Sequence, residues 1–458
     1  MKILKFGGSS LKDTGSIRKI ARIIAATREP KVVVFSAFSG VTDRLAGFLS
    51  ECQKRGNENR IKRFVNKLKE EHFLLLKKSV PVRAKQQPAA DALNNSFNRL
   101  ERFLYGVSYV EEISPRSRDL ILSFGERFAE AIMSAVLSYA GVKNRSFESD
   151  TIGMITDGDF GNATVLLPVA TKNLRRLLLP LLKSGLTPLV TGFFGCDAES
   201  RTTTFGRGGS DYSASVIAYA LNARQLEIWK DVDGFMSVSP EIVKQSRLLN
   251  VLSYDGAAEL AYFGAEILHP RMVEPVMLKN IPIMIRNTFN PTGKGTVIAK
   301  DGYEIKGVVK SITYDRNIAV LKIHGAGVGY KLGALQEIVS RISRSGVNIK
   351  SVITSQTCIN LFVAKDDLER AYQSLSASGG QIRVIEHLEK VKNIALIGIV
   401  GEGLIKTKGL AARVFQSVAE ADVNVEMISA GASSVAYYFI VNDKDVTRAV
   451  RAIHQEFF

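Results

Sequence analysis

The sequence predicts an α/β protein, a sandwich of helices around a largely parallel sheet, followed by a smaller region built on a different pattern. Short β-branched runs alternate with stretches of helical spacing through roughly the first two thirds of the chain, the rhythm of strand, turn and helix that builds parallel sheets. Beyond about residue 298 the rhythm gives way to two copies of one pattern. At 458 residues the chain is also too long for a single ordinary core, so two or three domains are expected.

The elements follow in order. Ile3 to Phe6 is a short strand that ends at once in Gly7-Gly8. Ser16 to Ala26 has helical spacing, Lys31 to Ser36 reads as a buried strand, and Thr42 to Gln53 as a second helix. Arg60 to His72 is an amphipathic helix with a charged, solvated face, part of a helical lid or insert over about residues 55–115. Leu120 to Tyr139 and Ser210 to Leu221 continue as helices, and Thr187 to Gly192, Leu226 to Trp229 and Ile281 to Arg286 as strands. In such sheets ligands gather at the carboxyl ends of strands. The loops Gly7-Gly8, Ser36 to Thr42, Gly192 to Gly195 and Lys230 to Gly234 each follow a predicted strand.

The two copies are visible residue by residue. Ile318-Ala319-Val320-Leu321 answers Ile394-Ala395-Leu396-Ile397, Gly333-Ala334-Leu335 answers Gly409-Leu410-Ala411, and Val347-Asn348-Ile349 answers Val423-Asn424-Val425. Each copy reads as a βαββ unit, and pairing of their edges side by side would hide unpaired backbone.

Composition excludes several classes. The net charge of +16 raises the possibility of nucleic acid, but much of the excess sits between Arg55 and Lys85 with no aromatic-interleaved module beside it, so no nucleic-acid partner is expected. No apolar run reaches a membrane span, and Met1 to Phe6 followed by glycines lacks a signal-peptide core, which gives the expectation of a cytoplasmic protein without membrane contact, or of one whose targeting segment has been removed. Cys52, Cys196 and Cys358 are odd in number and lack metal or disulfide spacing. The five histidines are scattered, so neither a histidine base nor a protein metal cluster is expected. Asp159-Phe160-Gly161 imitates the magnesium motif of protein kinases without its catalytic loop, and Gly325 to Gly329 imitates a dinucleotide turn with Lys350 where an acid belongs. No P-loop occurs.

The most informative stretch is Thr202 to Ser215, which joins three glycines, Arg207 and Asp211 to a helix start. Glycines admit a ligand close to the backbone, a helix N-terminus favours anions, and Arg207 offers a planar fork to a carboxylate. Asp211 reads equally as an N-terminal cap of the helix.

Lys5-Phe6-Gly7-Gly8-Ser9-Ser10, Ser123 to Arg127, Phe205 to Ser213, Trp229 to Gly234 and Phe263 to Pro270 together resemble the aspartate kinases of the amino acid kinase superfamily. The second copy of the repeat, with Val400 to Gly403 and Asn424 to Ser429, resembles the tandem ACT regulatory module of those enzymes. The likeness spans nearly the whole chain and is to the monofunctional type. It implies a catalytic domain over 1–297 and a regulatory region over 298–458. Within the latter it implies a first ACT domain at 314–390 and a second at 391–458 that borrows a strand at about 299–313.

The resemblance further implies transfer of the γ-phosphoryl group of ATP to the side-chain carboxylate of L-aspartate, giving 4-aspartyl phosphate and ADP, the first step toward lysine, threonine, methionine and diaminopimelate. An acceptor with pKa of about 4 is already ionised, so no general base is needed; the task is to hold two anions together. On the family pattern Lys5 is the catalytic cation and Asp211 orients it. ATP meets Lys5, Phe6, Gly7, Gly8, Lys230, Asp231, Met236, Glu241, Glu266 and Ile267. Ser36, Thr42, Glu126, Arg207, Gly208, Gly209 and Ser210 hold aspartate, with Arg207 on the α-carboxylate and Glu126 near the α-ammonium. Mg2+ is carried mainly by ATP and water, with no firm protein ligand. Ser239 and Glu266 depart from the common pattern on the nucleotide side. An amino-acid effector, lysine or threonine, would sit at Gly329, Leu332, Gly333, Ala334, Leu335, Asn348, Ile349 and Lys350, although Lys350 stands where lysine-sensitive relatives often carry aspartate. The ACT repeats imply a homodimer or a dimer of dimers. A sibling carboxylate kinase, a catalytically silent amino-acid sensor, and repeats that serve only to dimerise are the competing readings.

Overall fold

The structure is a computed structural model that describes residues 1–53, 56–265, 267–300, 308–376 and 384–458. These divide into two compact units, one of residues 1–235, 248–258 and 266–303, the other of residues 236–247, 259–265 and 304–458.

In the first unit, β1 (Lys2–Phe6) leads to α1 (Thr14–Ala26), which Asp13 caps by accepting the Ser16 N–H at 2.8 Å. Then come β2 (Lys31–Phe35), α2 (Val41–Cys52), α3 (Glu58–Ser79), α4 (Arg83–Val110), α5 (Pro115–Leu122) and α6 (Phe124–Tyr139). After β3 (Asn144–Phe147) follow α7 (Leu167–Lys183), β4 (Thr187–Thr191), β5 (Phe194–Cys196), β6 (Thr202–Thr204), α8 (Gly209–Leu221) and β7 (Gln225–Lys230). β8 (Val251–Ser253), α9 (Tyr254–Tyr262, counted with this unit only as far as residue 258), α10 (Val273–Met277), β9 (Ile283–Asn287) and β10 (Thr296–Ala299) close the series.

Eight strands form one sheet in the order β3-β4-β2-β1-β7-β9-β10-β8, parallel from β3 to β9, with the β9–β10 pair antiparallel. β1 and β2 are buried at every position after their first, as strands covered on both faces must be. Alternation assigns their faces. Leu4, Phe6, Val33 and Phe35 share one core with α1 and α6, so Ile3 and Lys5 look the other way, to the side on which α8 packs against β1.

The insert expected over about 55–115 is the pair α3 and α4, but it is an outer layer rather than a lid. Ile61, Val65, Leu68, His72 and Leu76 make the inner stripe of α3 and join the core that holds Phe128 and Ile132 of α6. His72 falls on that stripe, edge-on to Phe38, Phe97 and Phe128, and burial lowers its pKa to about 4, so it is a neutral core residue.

The second unit holds both repeats. β12 (Ala319–His324), α11 (Ala334–Arg344), β13 (Ser351–Thr354), β14 (Cys358–Val363), α12 (Leu368–Ser376) and β15 (His387–Val391) form a sheet ordered β13-β14-β12-β15. β16 (Ile394–Gly401), α13 (Leu410–Glu420), β17 (Val425–Ala430), β18 (Ala436–Asn442) and α14 (Val446–Phe457) form the other together with β11 (Val309–Asp315), in the order β11-β16-β18-β17. β11 therefore stands beside β16 as β15 stands beside β12. The borrowed strand expected at about 299–313 runs instead from Val309, and residues 301–307 lie outside the described part.

The two repeat sheets stay separate among the described residues, so the expected side-by-side pairing of their edges is not formed there; β11 forms one edge of the second sheet. The boundary expected near residue 297 is also crossed. Segment 236–247 belongs to the second unit because Val238 and Ile242 bury their side chains with Ile312, Val450 and Ile453, while Ile312 N donates to Ser237 O at 2.8 Å. No described helix is long and apolar enough to cross a membrane.

Glu130 on α6 is buried, and that burial, with the like charge of Glu148, pushes its carboxyl up to about 8. A carboxyl raised in the fold supplies stability that is complete below its unfolded value and is lost as pH rises through about 8. Glu130→Gln is therefore expected to improve the thermal midpoint relative to the parent more at high pH than at low pH. An offset independent of pH would show that Glu130 is ionised in the folded chain.

Candidate active site

The parallel register brings three loops together. Lys5 lies opposite Val34 and Ile228, so Gly7, Ser36 and Lys230 leave adjacent strand ends. The turn itself is tied to the sheet: Gly7 N donates to Trp229 O at 3.1 Å and Ser36 N to Phe6 O at 3.1 Å. The Gly7 N–H is already used by the neighbouring strand, and the Phe6 ring lies between Phe35 and Trp229, with centroids at 6.0 and 5.9 Å, because parity turns it into the core. This packing leaves Phe6 and Gly7 only backbone atoms to offer a nucleotide.

The same parity aims Lys5 at the first turn of α8. Its Nζ forms an ion pair with Asp211 Oδ1, and Lys230 Nζ approaches Asp211 Oδ2 at 3.7 Å. Lys5 and Asp211 are both buried. Burial, helped by the like charge of Lys230, lowers the Lys5 pKa, and Asp211 opposes this. For Asp211 burial works upward, but Lys5 and Lys230 outweigh it and hold the carboxyl below the usual range. Two cations on one carboxylate leave a net positive charge at the strand ends, a seat for an anion. The capping role open to Asp211 is not the one it takes: the residue before α8 is Gly208, no side chain caps the helix, and Asp211 turns to Lys5.

Beside this cluster lies a cleft of about 320 Å³ whose lining includes Gly8, Ser36, Thr42, Glu126 and Ser210. Five of the expected contacts thus share one wall system. Glu126, in the first turn of α6, accepts the Ala37 N–H at 3.2 Å through Oε1, while its buried Oε2 has no partner. Burial pushes its carboxyl up to about 8 despite Lys5 and Arg127. Lys12, which the sequence did not single out, joins the lining and pairs with Asp231 at 3.2 Å; against its partial burial, Ser9 and then Lys12 hold that carboxyl low.

The glycine loop follows β6. Gly206 and Gly208 both take positive φ, at 72° and 73°, and set Arg207 outward between them, exposed and without an ion-pair partner among the described residues. A side chain on Gly208 would collide with His269, which packs against this turn. Gly209 opens α8, and Ser210 sits 2.6 Å from where a Cβ on Gly192 would be, so the helix start lies directly on the chain leaving β4. Burial, with Arg271 and Arg207 nearby, lowers the His269 pKa, Asp211 opposing.

The remaining expected residues are dispersed. Ile267 belongs to the first unit, Met236 and Glu241 to the second, and Glu266 lies outside the described residues. In the second unit Gly333 precedes α11 at φ 83°, followed by Ala334 and Leu335 in its first turn, and Leu332 beside it is almost wholly exposed. Gly329 N donates to Gln356 O at 3.2 Å. Asn348 and Ile349 lead to Lys350, whose ammonium is taken by Asp315 at 2.6 Å and Asn317 O at 3.3 Å. No cluster of three or more potential metal-ligating side chains occurs among the described residues.

Two buried networks escaped the sequence reading. Arg127 is paired with Glu148 and Asp150, and Asp119 accepts hydrogen bonds from Gly161 and Thr204. Both join residues far apart in the chain, and no local pattern announces them.

Residues 1–287 match the Amino acid kinase family and residues 397–457 the ACT domain. The chain is similar to aspartokinase 3, chloroplastic, of Arabidopsis thaliana, 34% identical over 467 residues that span 100% of this chain and 81% of the relative. It is similar in structure to E. coli aspartokinase III in complex with aspartate and ADP in the R state, with a TM-score of 0.83, 25% identity, and coverage of 100% of this chain and 99% of that one. The T-state structure of the same E. coli enzyme with lysine and aspartate gives a TM-score of 0.81 at 26% identity, with the same coverage of each chain.

Removing one member of the buried ion pair should be costly. Asp211→Asn is expected to lose about 3–5 kcal/mol in urea unfolding, since it strands two cations, and Lys5→Met added to it should recover part of the loss. Strictly additive losses would show that the pair is not coupled.

Proposed function

The chain belongs to the aspartokinase family, and from that premise we propose how its cleft transfers the γ-phosphoryl group of ATP to the β-carboxylate of L-aspartate. The observation that carries the proposal is the buried cluster of Lys5, Asp211 and Lys230 beside the cleft. The acceptor is already an anion, so the barrier lies in bringing it in line with the phosphate and in the charge that spreads over the transferring oxygens. Asp211 holds Lys5 in one direction, and Lys5 with Lys230 stabilises that charge. The N–H groups at the start of α8 and the open backbone of Gly8 add donors.

Aspartate is proposed to lie with its α-carboxylate on Arg207 and its ammonium on Glu126, with Ser36, Thr42, Ser210 and the backbone of Gly208 and Gly209 around it. The free guanidinium of Arg207 and the unpartnered Oε2 of Glu126 support this. Asp231 and Ile267 take the ribose and adenine side; for Met236 and Glu241 of the second unit, and for Glu266 outside the described residues, a nucleotide contact is what the family resemblance implies. Among the described residues Asp211 is the carboxylate paired with the cation cluster, and two lysines engage it, which suits a magnesium ion held by nucleotide oxygens and water. Such an ion would neutralise charge on the β- and γ-oxygens.

For regulation we propose an amino-acid effector at the Gly329 to Leu335 loop with Asn348 to Lys350. E. coli aspartokinase III is known in a lysine complex; here the Lys350 ammonium is engaged internally, so lysine and threonine both stand as candidates. Exposed Tyr330, Leu332 and Val352 near the β13 edge support pairing of two copies through the first repeat. The cytoplasmic placement stays a proposal beside relatives designated chloroplastic.

A coupled ADP-release assay should show turnover that depends on L-aspartate and magnesium, with Lys5→Ala reducing kcat by on the order of 10² to 10³. Absence of aspartate-dependent ADP would overturn the assignment. Lysine, threonine and methionine added to the same assay identify the effector, and indifference to all three would reject amino-acid control by them.

Glu126 sets a second expectation. In the empty site it is neutral below about 8, and pairing with an ammonium requires its ionised form. Aspartate binding should therefore release a proton near neutral pH, and the KM for aspartate should fall as pH climbs toward about 8. Isothermal titration in buffers of different ionisation enthalpy measures the proton directly. No release in the parent chain would remove Glu126 from that role.

A further inference from the structure

The loop that presents Arg207 is pinned from both of its flanks by residues outside the cleft. On one flank Asp119 of α5, itself only 1% exposed, accepts Thr204 N at 2.7 Å and Gly161 N at 2.8 Å through Oδ2, and the Thr204 hydroxyl at 2.9 Å through Oδ1. Thr204 is the last residue of β6, one step before the glycine loop, while Gly161 belongs to the Asp159-Phe160-Gly161 turn. Arg271 spans both sides: its guanidinium donates to Phe205 O, next to Thr204, at 3.1 Å, and to Asn162 Oδ1 at 3.1 Å, Ala163 O at 2.6 Å and Thr164 Oγ1 at 2.8 Å, and beyond the glycine loop it lies 4.7 Å over the Tyr212 ring of α8. Ala163 N closes the set by donating to Thr204 O at 2.9 Å. Loop 157–164 is thus stapled to the glycine loop by one buried anion and one fork-shaped cation.

We propose that Asp119 and Arg271 are positioning residues for substrate binding: they clamp loop 157–164 against the glycine loop and so hold Arg207 where it receives the α-carboxylate of aspartate. This rests on Arg207 being the partner of that carboxylate. The Asp159-Phe160-Gly161 sequence then has a use unrelated to magnesium, as the abutment of the clamp. A carboxylate suits this task because it accepts from three donors at once with charge-assisted bonds, whereas asparagine would keep the two N–H contacts only as neutral bonds and meet the Thr204 hydroxyl only by reversing it. A guanidinium suits the second staple because its planar fork reaches several carbonyls in fixed geometry. Neither residue lines the cleft, so the expected signature is a change in how aspartate binds, with the phosphoryl-transfer step left alone.

Steady-state kinetics on the full chain test this. Asp119→Asn should raise the KM for aspartate roughly tenfold, the effect of reducing three charge-assisted hydrogen bonds to neutral ones, while the KM for ATP and kcat stay within about twofold. In an Arg207→Ala background, whose own KM for aspartate is already raised, Asp119→Asn should add nothing further. If the Asp119 variant does not fold, Thr204→Val, which removes only the hydroxyl leg, and Arg271→Lys carry the same test with an expected rise of about threefold. A normal KM for aspartate in the clamp variants beside a raised one in Arg207→Ala overturns the clamp alone. So does a fall in kcat with both KM values disturbed, or full additivity with Arg207→Ala. An unchanged KM in Arg207→Ala itself overturns the Arg207 assignment, and the inference with it.

Discussion

A lysine without access to water is the constraint around which the first unit is arranged. Lys5 occupies the one position near the end of β1 whose parity turns it away from the apolar side shared by Leu4 and Phe6. Burial there is tolerated because the first turn of α8 brings Asp211 to it, and α8 can start at that height because Gly208 takes a left-handed turn and Gly192 leaves room for Ser210. Lys230, from the adjoining strand, then makes the cluster cationic overall. Strand parity, helix start and loop glycines therefore converge on one electrostatic result, a dry positive seat at the carboxyl ends of parallel strands.

Much of this was legible in the chain. The strand ending in Gly7-Gly8, the helix opening at Ser210-Asp211 and the doubled pattern after residue 298 are all short-range signals, and each matches an element of the structure. What could not be read is what depends on contacts across long separations. Asp119 looks like any helix acid, yet its partners lie 42 and 85 residues away. His72 sits among charges in sequence, and only the four-residue step from Leu68 places it on the buried stripe. Phe6 and Gly7 show the limit of motif reasoning: the residues are in the expected place, but the ring belongs to the core and the N–H to the next strand.

The second unit shows why chain order and domain order differ. β11 precedes both repeats but completes the sheet of the second, and Val238 and Ile242 fill the core of that same sheet from within the kinase part of the sequence. An effector that alters this unit would act on residues contiguous in sequence with Lys230 and Asp231. Differential affinity for two arrangements of the unit is what such control requires.

The electrostatic reading is best tested by a crystal structure of the chain with aspartate, ADP, magnesium and a planar fluoride mimic of the phosphoryl group. Lys5 Nζ should keep Asp211 and lie within about 3.2 Å of a fluoride or bridging oxygen, with Lys230 on the same group. A mimic bound with Lys5 still buried against Asp211 and turned away from it would mean that the cluster serves the fold and that another group stabilises the transferring phosphate.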